Sequence, residues 1–358
     1  MVRIVVLGAS GNFGARIART LKEDPLLEVI ACSRSGRGPA HVALDIASPG
    51  FANALRKLSP GLVIHCAGPF QGQDYRVALA AIAAGAHYID LADGREFVCG
   101  FAQQMHTIAL QADVLAVTGA STLPALSSAV IDHVAPRFRE LRTISIVIAP
   151  AQRSPRGTAT VAGVLSYAGR PFNWLQDGVW TRAWGWQELT RVGFQGIEPR
   201  WAAACDVPDL QLFPQRYGAK TVEFRAALEL GIQHLGLWGA AAIRRLGIPL
   251  PLERWAGHLD TAASLLDFLG SDCGGMSVRL EGVSLEGGPL RAGWHLVAQD
   301  NHGPEVPCMA AVLLAKHLAR SEIGLRGAFA STGLLSLEEF EAEFARWKIS
   351  TMIQELAS

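Results

Sequence analysis

The chain has 358 residues, half of them hydrophobic and 18% charged, which is more apolar material than a disordered chain carries and enough for more than one core. Lysine plus arginine and aspartate plus glutamate both total 32, so the formal net charge is zero. Proteins that hold nucleic acid present a basic field, and this balance argues against such a partner. The six cysteines (Cys32, Cys66, Cys99, Cys205, Cys273, Cys308) form no CxxC pair and no Cys/His ligand spacing. We expect free thiols, a reducing compartment and no metal. The N-terminal apolar run passes straight into Gly8 instead of a cleavage site, unlike a signal peptide. The longest apolar stretch, "LGIQHLGLWGAAAI" at 230–243, falls short of the ~18–20 residues of a membrane span and meets Arg244 and Arg245. A cytoplasmic protein without a membrane span is the expectation.

Residues 4–7 are wholly apolar and mostly β-branched, the pattern of a parallel strand covered on both faces. Phe13, Ile17 and Leu21 then recur at helical spacing. "LEVIAC" (27–32) reads as a second strand, and "GLVIHCAG" (61–68) as a third, or as a fourth if "HVALDI" (41–46) also pairs. A helix over 74–85, a strand over 87–92, a helix over 96–112 and a strand over 113–119 continue the alternation. This rhythm predicts a Rossmann-type doubly wound parallel sheet. Beyond it, 141–151 is a longer alternating strand, and 276–300 reads as two antiparallel strands around a glycine turn, marking a second α+β domain with a mixed or antiparallel sheet. Between them, Trp174, Trp180, Trp184 and Trp186 crowd a Gly- and Pro-rich region, as an apolar pocket or as an insertion or dimer face. Helices are expected at 305–320 and 336–348, the latter opened by a capping box of Ser336 and Glu339. The expected division is 1–130 for the nucleotide domain, 131–301 for substrate and dimer contacts, and 302–358 for helices returning to the first domain.

Between the first strand and helix lies "GASGNFG" at 8–14, comprising Gly8, Ala9, Ser10, Gly11, Asn12, Phe13 and Gly14. Gly8 allows the tight turn, Gly11 leaves room for a pyrophosphate and Gly14 lets helix and strand pack closely. Backbone N–H groups at the helix start would face the anion. NAD sites place a carboxylate at the end of the second strand, but here stand Ser33, Arg34, Ser35 and Arg37. A hydroxyl with a guanidinium suits a 2′-phosphate, so the expected cofactor is NADP(H). Asp45 either accepts from the adenine amino group or caps the next helix. The small-residue loop Cys66, Ala67, Gly68 and Pro69 closes the following strand, at the sheet edge where ligands of such folds lie.

Together "GASGNFG" (8–14), "VIHCAGPFQGQ" (63–73) and "AAGAHYIDLADGREF" (83–97) resemble the NADP-binding domain of the saccharopine dehydrogenase-like family. "VTGASTLPALSS" (117–128), "GTATVAGVLSYAG" (157–169) and 302–329 are similar to later segments of that family, whereas 171–275 matches nothing in it. His65 stands where the family usually has Asn. The resemblance implies a nucleotide domain, a second domain with a mixed sheet, a substrate cleft between them and hydride chemistry on imines or lipid-like molecules.

A short-chain dehydrogenase would need a Tyr with Lys four positions on, but Tyr75, Tyr88, Tyr167 and Tyr217 are followed there by Leu79, Ala92, Pro171 and Thr221. A thiolate mechanism would need an activated cysteine, with Cys66 the best placed and packing its other reading. Hydride transfer asks only for position, desolvation and one proton donor. The candidates are Asp93, just past a strand end, and His302 in "DNHGPE"; Asp90, inside the strand, reads as a cap, and Ser121 and Thr122 as crevice residues. The resulting expectation is an NADP(H)-dependent oxidoreductase acting on an imine, polarised alkene or carbonyl, working as a homodimer. Its rival is an NADPH-binding sensor without turnover.

Overall fold

Ile4, Val5, Val6 and Leu7 are at most 1% exposed, the burial of a strand covered on both faces. They belong to β1 (Val2–Leu7) in a computed structural model that describes residues 1–36 and 41–355. The chain divides into two compact units, one of Met1–Leu126 with Pro304–Leu335, the other of Ser127–Gly303 with the chain from Ser336 onward.

In the first unit β1 leads to α1 (Asn12–Leu21), then β2 (Leu27–Ser33), β3 (His41–Ala43), α2 (Phe51–Lys57), β4 (Leu62–His65), α3 (Arg76–Ala83), β5 (His87–Asp90), α4 (Arg95–Gln111) and β6 (Leu115–Thr118). The short "HVALDI" segment does pair, so 62–65 is the fourth strand. The sheet order is β6-β5-β4-β1-β2-β3, with the late strand Gly327–Ala330 added outside β6, and every pairing is parallel. Strand order reverses between β1 and β4, where open sheets of this kind leave a crevice beyond the carboxyl ends. α1 buries Ile17, Ala18 and Leu21 in its apolar stripe. The helix Val306–Ala319 belongs to this unit, since Arg16 and Arg19 of α1 both pair with the buried Glu305 just before it, Arg19 at 2.8 Å. Cys308 also directs its Sγ to Phe13 O at 3.7 Å.

The second unit is a nine-stranded mixed sheet around the long strand Phe138–Ala149. That strand pairs parallel with Thr221–Ala226 and antiparallel with Gly274–Ser284, which folds back as Pro289–Ala298. Ile144 and Ile146 of the first, Leu280 of the third and Trp294 of the last are at most 1% exposed and form its centre. The C-terminal segment does not return to the first unit as a whole. Helix Leu337–Phe344 and strand Ile349–Glu355 belong to the second unit, where the strand pairs with residues 292–298 and the helix buries Leu337, Phe340 and Phe344. The expected capping box is present, Ser336 Oγ accepting from Glu339 N–H at 3.3 Å. Among the described residues no helix is long and apolar enough to cross a membrane.

Candidate dinucleotide-binding site

Gly8 leaves β1 with φ of +79°, a left-handed conformation that glycine adopts without a Cβ penalty. A side chain there would also stand 2.9 Å from Ala67 N, so the turn after β1 touches the loop after β4 backbone to backbone. A Cβ on Gly14 would lie 2.4 Å from Gly8 O, which fixes how closely α1 packs on the turn. Gly11 N–H closes the turn on Gly8 O at 2.9 Å, and Ala9 N–H donates to Cys32 O at 2.9 Å, tying the turn to β2. Ala9 is buried, whereas Ser10 and Gly11 are exposed and Asn12 and Phe13 half-buried. The N-cap of α1, Gly11, makes no side-chain cap, and no acid stands in the first turn. This helix therefore lacks the anion substitute that proteins commonly build for themselves.

The end of β2 places Ser33 3% exposed, its Oγ without a hydrogen-bond partner among the described residues. An orphaned buried hydroxyl costs free energy unless something else meets it. Arg34 follows in the turn with an exposed side chain, while Arg37 lies outside the described residues. Asp45 does not cap α2, whose N-cap is Gly50. Its carboxylate accepts from Ala47 N–H at 3.0 Å in a local turn.

Past β4, Cys66 N–H donates to Leu7 O at 2.9 Å, holding the loop beside β1. Cys66, Ala67 and Gly68 are half-buried and Pro69, joined to Gly68 by a cis bond, is exposed. Gln73 Nε2 clamps the loop by donating to Ala67 O at 2.9 Å and Pro69 O at 2.7 Å. Burial, with the Asp90 charge added, pushes the Cys66 thiol well up, which leaves it protonated and unlike an activated nucleophile.

The sequence reading named His65 and Asp90 singly but not the buried polar group they build with Tyr88 under this edge. His65 Nδ1 and the Tyr88 hydroxyl share a hydrogen bond of 3.0 Å. Asp90, opposite His65 in the β4–β5 register and fully buried, accepts from Ala92 N–H, Gly119 N–H and Thr118 Oγ1, each at 2.9 Å. It thus caps no helix and instead ties the ends of β5 and β6 together. Burial raises its pKa to about 6 against the opposing pull of those donors, and burial lowers that of His65 to about 4, keeping the imidazole neutral. A charged residue ending an apolar strand was the available signal.

Asp93 is half-buried beyond β5 and accepts from Gln71 Nε2 at 3.2 Å; burial raises its pKa. His302 belongs to the second unit, where its Nδ1 accepts from Lys348 N–H at 3.1 Å and its ring meets Trp347 edge-on at 5.2 Å. One ring nitrogen is therefore committed to tying down the C-terminal segment. Ser121 and Thr122 are half-buried beyond β6. The four tryptophans do not gather: Trp186 is buried beside His234, with ring centroids 5.4 Å apart, and Trp174 is buried against Phe172. Trp180 points outward, and Trp184 lies under Arg245, 5.0 Å from its ring centroid. The hairpin register sends Trp174 to the face opposite Trp180 and Trp184, so the four rings do not form one cluster. The second unit does contain a cavity of about 540 Å³ lined by Ile197, Pro199, Arg200, Glu229, Ser271 and Cys273. Arg200 is spent there on Ala149 O, Pro150 O and Cys273 O, at 2.8–3.2 Å.

No model of a known protein family matches the chain, and no curated protein matches it. Solved structures do. Saccharopine dehydrogenase (L-Glu forming) from Saccharomyces cerevisiae superimposes with a TM-score of 0.69 at 13% identity, covering 100% of both chains. Homospermidine synthase from Legionella pneumophila, in complex with NAD, gives a TM-score of 0.61 at 10% identity over 99% of this chain and 91% of that one. An engineered D-amino acid dehydrogenase bound to NADP+ gives 0.50 at 15% identity over 95% and 98%. The fold is saccharopine dehydrogenase-like.

Proposed function

We propose that the chain is an NADP(H)-dependent oxidoreductase that moves a hydride to or from an imine, polarised alkene or carbonyl carbon of a small molecule. One observation carries the reading: at the strand-order reversal, the turn has no room for side chains at Gly8 and Gly14 and opens a helix with neither a cap nor an acid. Such a cradle fits a pyrophosphate. Ser33 and Arg34 fit the 2′-phosphate, because the hydroxyl lacks a partner among the described residues and the guanidinium is exposed. Asp45 would meet the adenine edge with its other carboxylate oxygen, and the backbone of Cys66–Pro69 would line the nicotinamide end. The similar structures carry NAD in one case and NADP+ in another, which supports a nicotinamide nucleotide and leaves the choice to Ser33 and Arg34.

The nucleotide supplies the hydride when bound. The chain's part is to exclude water, orient the rings and hold a proton at a suitable atom. Asp93 is the better donor, since burial raises its pKa toward the working range of a general acid and Gln71 fixes its carboxyl. His302, with Nδ1 engaged, offers only Nε2. The raised thiol of Cys66 argues against a covalent thioester route.

Calorimetric titration of NADPH and NADH into native protein and Arg34→Asp tests the cofactor. NADPH should bind at least about tenfold tighter to native protein, the worth of one charge-assisted contact, and Arg34→Asp should remove that preference. Tighter NADH binding by native protein overturns the 2′-phosphate assignment, and binding of neither overturns the oxidoreductase. NADPH oxidation with imines, enones and ketones then tests turnover. Tight binding without turnover would favour a sensor.

A further inference from the structure

Asp90 gathers its partners on one oxygen. Ala92 N–H, Thr118 Oγ1 and Gly119 N–H all donate to Oδ1, each at 2.9 Å, while the buried Oδ2 has no hydrogen-bond partner among the described residues. None of these donors is a cation, so a charge on Asp90 meets no counter-ion among them. In a low-dielectric interior the field of such a charge reaches further than in water. Neighbouring groups feel it: burial, and after it the Asp90 charge, pushes up both the Cys66 thiol and the Tyr75 hydroxyl. Asp90 ends β5 opposite His65, the last residue of β4, and Leu91 N–H donates to His65 O at 3.3 Å. The carboxyl therefore lies beneath the strand edge from which the loop Cys66–Pro69 departs, the side on which ligands of such sheets are held.

The oxidised and reduced forms of a nicotinamide nucleotide share their adenosine, phosphates and riboses. They differ in the ring, which is cationic when oxidised and neutral when reduced. A buried charge under the ring's end of the site acts on that difference and on little else. Burial sets Asp90 to titrate at about 6, against the pull of its donors and of the nearby Tyr88 hydroxyl. The titratable groups around it hold still over the same range. Burial keeps His65 neutral, at about 4, and keeps Tyr88, Cys66 and Tyr75 protonated by raising each of them. Asp93, past the end of β5, is the other carboxyl of this edge that burial raises.

We propose that Asp90 sets the preference of this site between the two redox forms of its nucleotide: the carboxylate, without a counter-ion beneath the Cys66–Pro69 loop, favours the cationic oxidised ring, and the neutral acid does not. The proposal rests on the nucleotide-binding reading. Calorimetric titration of full-length protein with NADP+ and with NADPH, at pH values on either side of 6, gives the ratio of the two affinities, in which everything common to both forms cancels. From about pH 5.5 to about 7.5 the ratio should move toward NADP+ by about three- to tenfold, the worth of one partly screened charge. Asp90→Asn keeps an oxygen for the three donors and removes the charge, so its ratio should stay at the acid value of native protein throughout. Tyr88→Phe keeps the ring stacked on Phe101, 5.9 Å between centroids, and removes a hydroxyl that favours the charged carboxyl. Its ratio should still change with pH, about a midpoint higher than that of native protein, which a purely structural role for the hydroxyl would not produce. Binding of both nucleotides with a ratio that is flat in native protein overturns the proposal and leaves the nucleotide reading standing. A pH dependence that survives Asp90→Asn and vanishes in Asp93→Asn also overturns it. Binding of neither nucleotide overturns the nucleotide reading, and the proposal with it.

Discussion

Two carboxyls, one in each unit, are equally hidden and differently treated. Asp90 and Asp209 are both 0% exposed. Asp90 accepts from two backbone N–H groups and the Thr118 hydroxyl. Asp209 accepts from Ser127 Oγ at 2.5 Å, and in both carboxyls Oδ2 has no partner among the described residues. Burial pushes both up, to about 6 for Asp90 and about 7 for Asp209. Donors to the charged form offset desolvation, and the carboxyl with fewer donors lands higher. The first unit therefore uses its buried acid to fasten strand ends beneath the candidate site, while the second holds one more weakly between two helix starts.

Removing the acceptors should expose this difference most strongly. Asp90→Ala orphans three donors and should cost about 3–5 kcal/mol, whereas Asp209→Ala leaves one hydroxyl and should cost about 1–2 kcal/mol. Urea denaturation at neutral pH measures both, and equal losses would break the comparison.

The pH dependence comes next in size. Asp209 has a folded pKa of about 7, above its value in the unfolded chain, so its contribution is whole below about pH 4 and is lost as pH rises through 7. For Asp90 the same loss is complete just above pH 6. His65 and His234, both lowered to about 4 by burial, gain stability over much of that range and blur the raw curve. The useful quantity is the stability of Asp209→Asn minus that of native protein. It should grow with pH between 5 and 8 by about 2–4 kcal/mol. A flat difference would mean that Asp209 is ionised throughout.

These acids also show where the sequence stops being readable. The first unit was legible because its signals are local. An apolar run, three glycines and a helical stripe lie within twenty residues, and each element pairs with another from the same alternating series. Gly8 and Gly14 could be assigned roles from spacing alone. The cross-strand group of His65, Tyr88 and Asp90 could not, because strand register, which no single segment contains, brings it together. The strand Gly327–Ala330 escaped for a related reason: four residues after a long helix carry no pattern, and only the exposed edge of β6 gives them a place. In the second unit the tryptophan spacing left a pocket and a packed insertion both open, and only the hairpin register, which sets Trp174 on the face opposite Trp180 and Trp184, separates the rings. The C-terminal segment divided because Ile349–Glu355 found an open strand edge.

A smaller effect tests how closely the glycine turn is packed. Gly14→Ala adds a methyl 2.4 Å from Gly8 O and should cost about 1–3 kcal/mol, less the gain of alanine in a helix. The same shift in α1 should weaken NADPH binding by more than it lowers stability. A variant with native affinity would show that the turn can open without disturbing the nucleotide.

The smallest expected effect contrasts two helix starts. Helix Leu337–Phe344 supplies its own cap through Ser336 and Glu339, whereas α1 opens on Gly11 with none. Ser336→Ala leaves first-turn N–H groups of its helix to water and should cost about 1 kcal/mol, read as a lower urea midpoint with NADPH affinity unchanged. Saturating NADPH should protect the amides at the start of α1 from hydrogen exchange and leave those after Ser336 as they were. Equal protection at both would mean that the nucleotide stiffens the whole chain and that its phosphates are not the missing cap of α1.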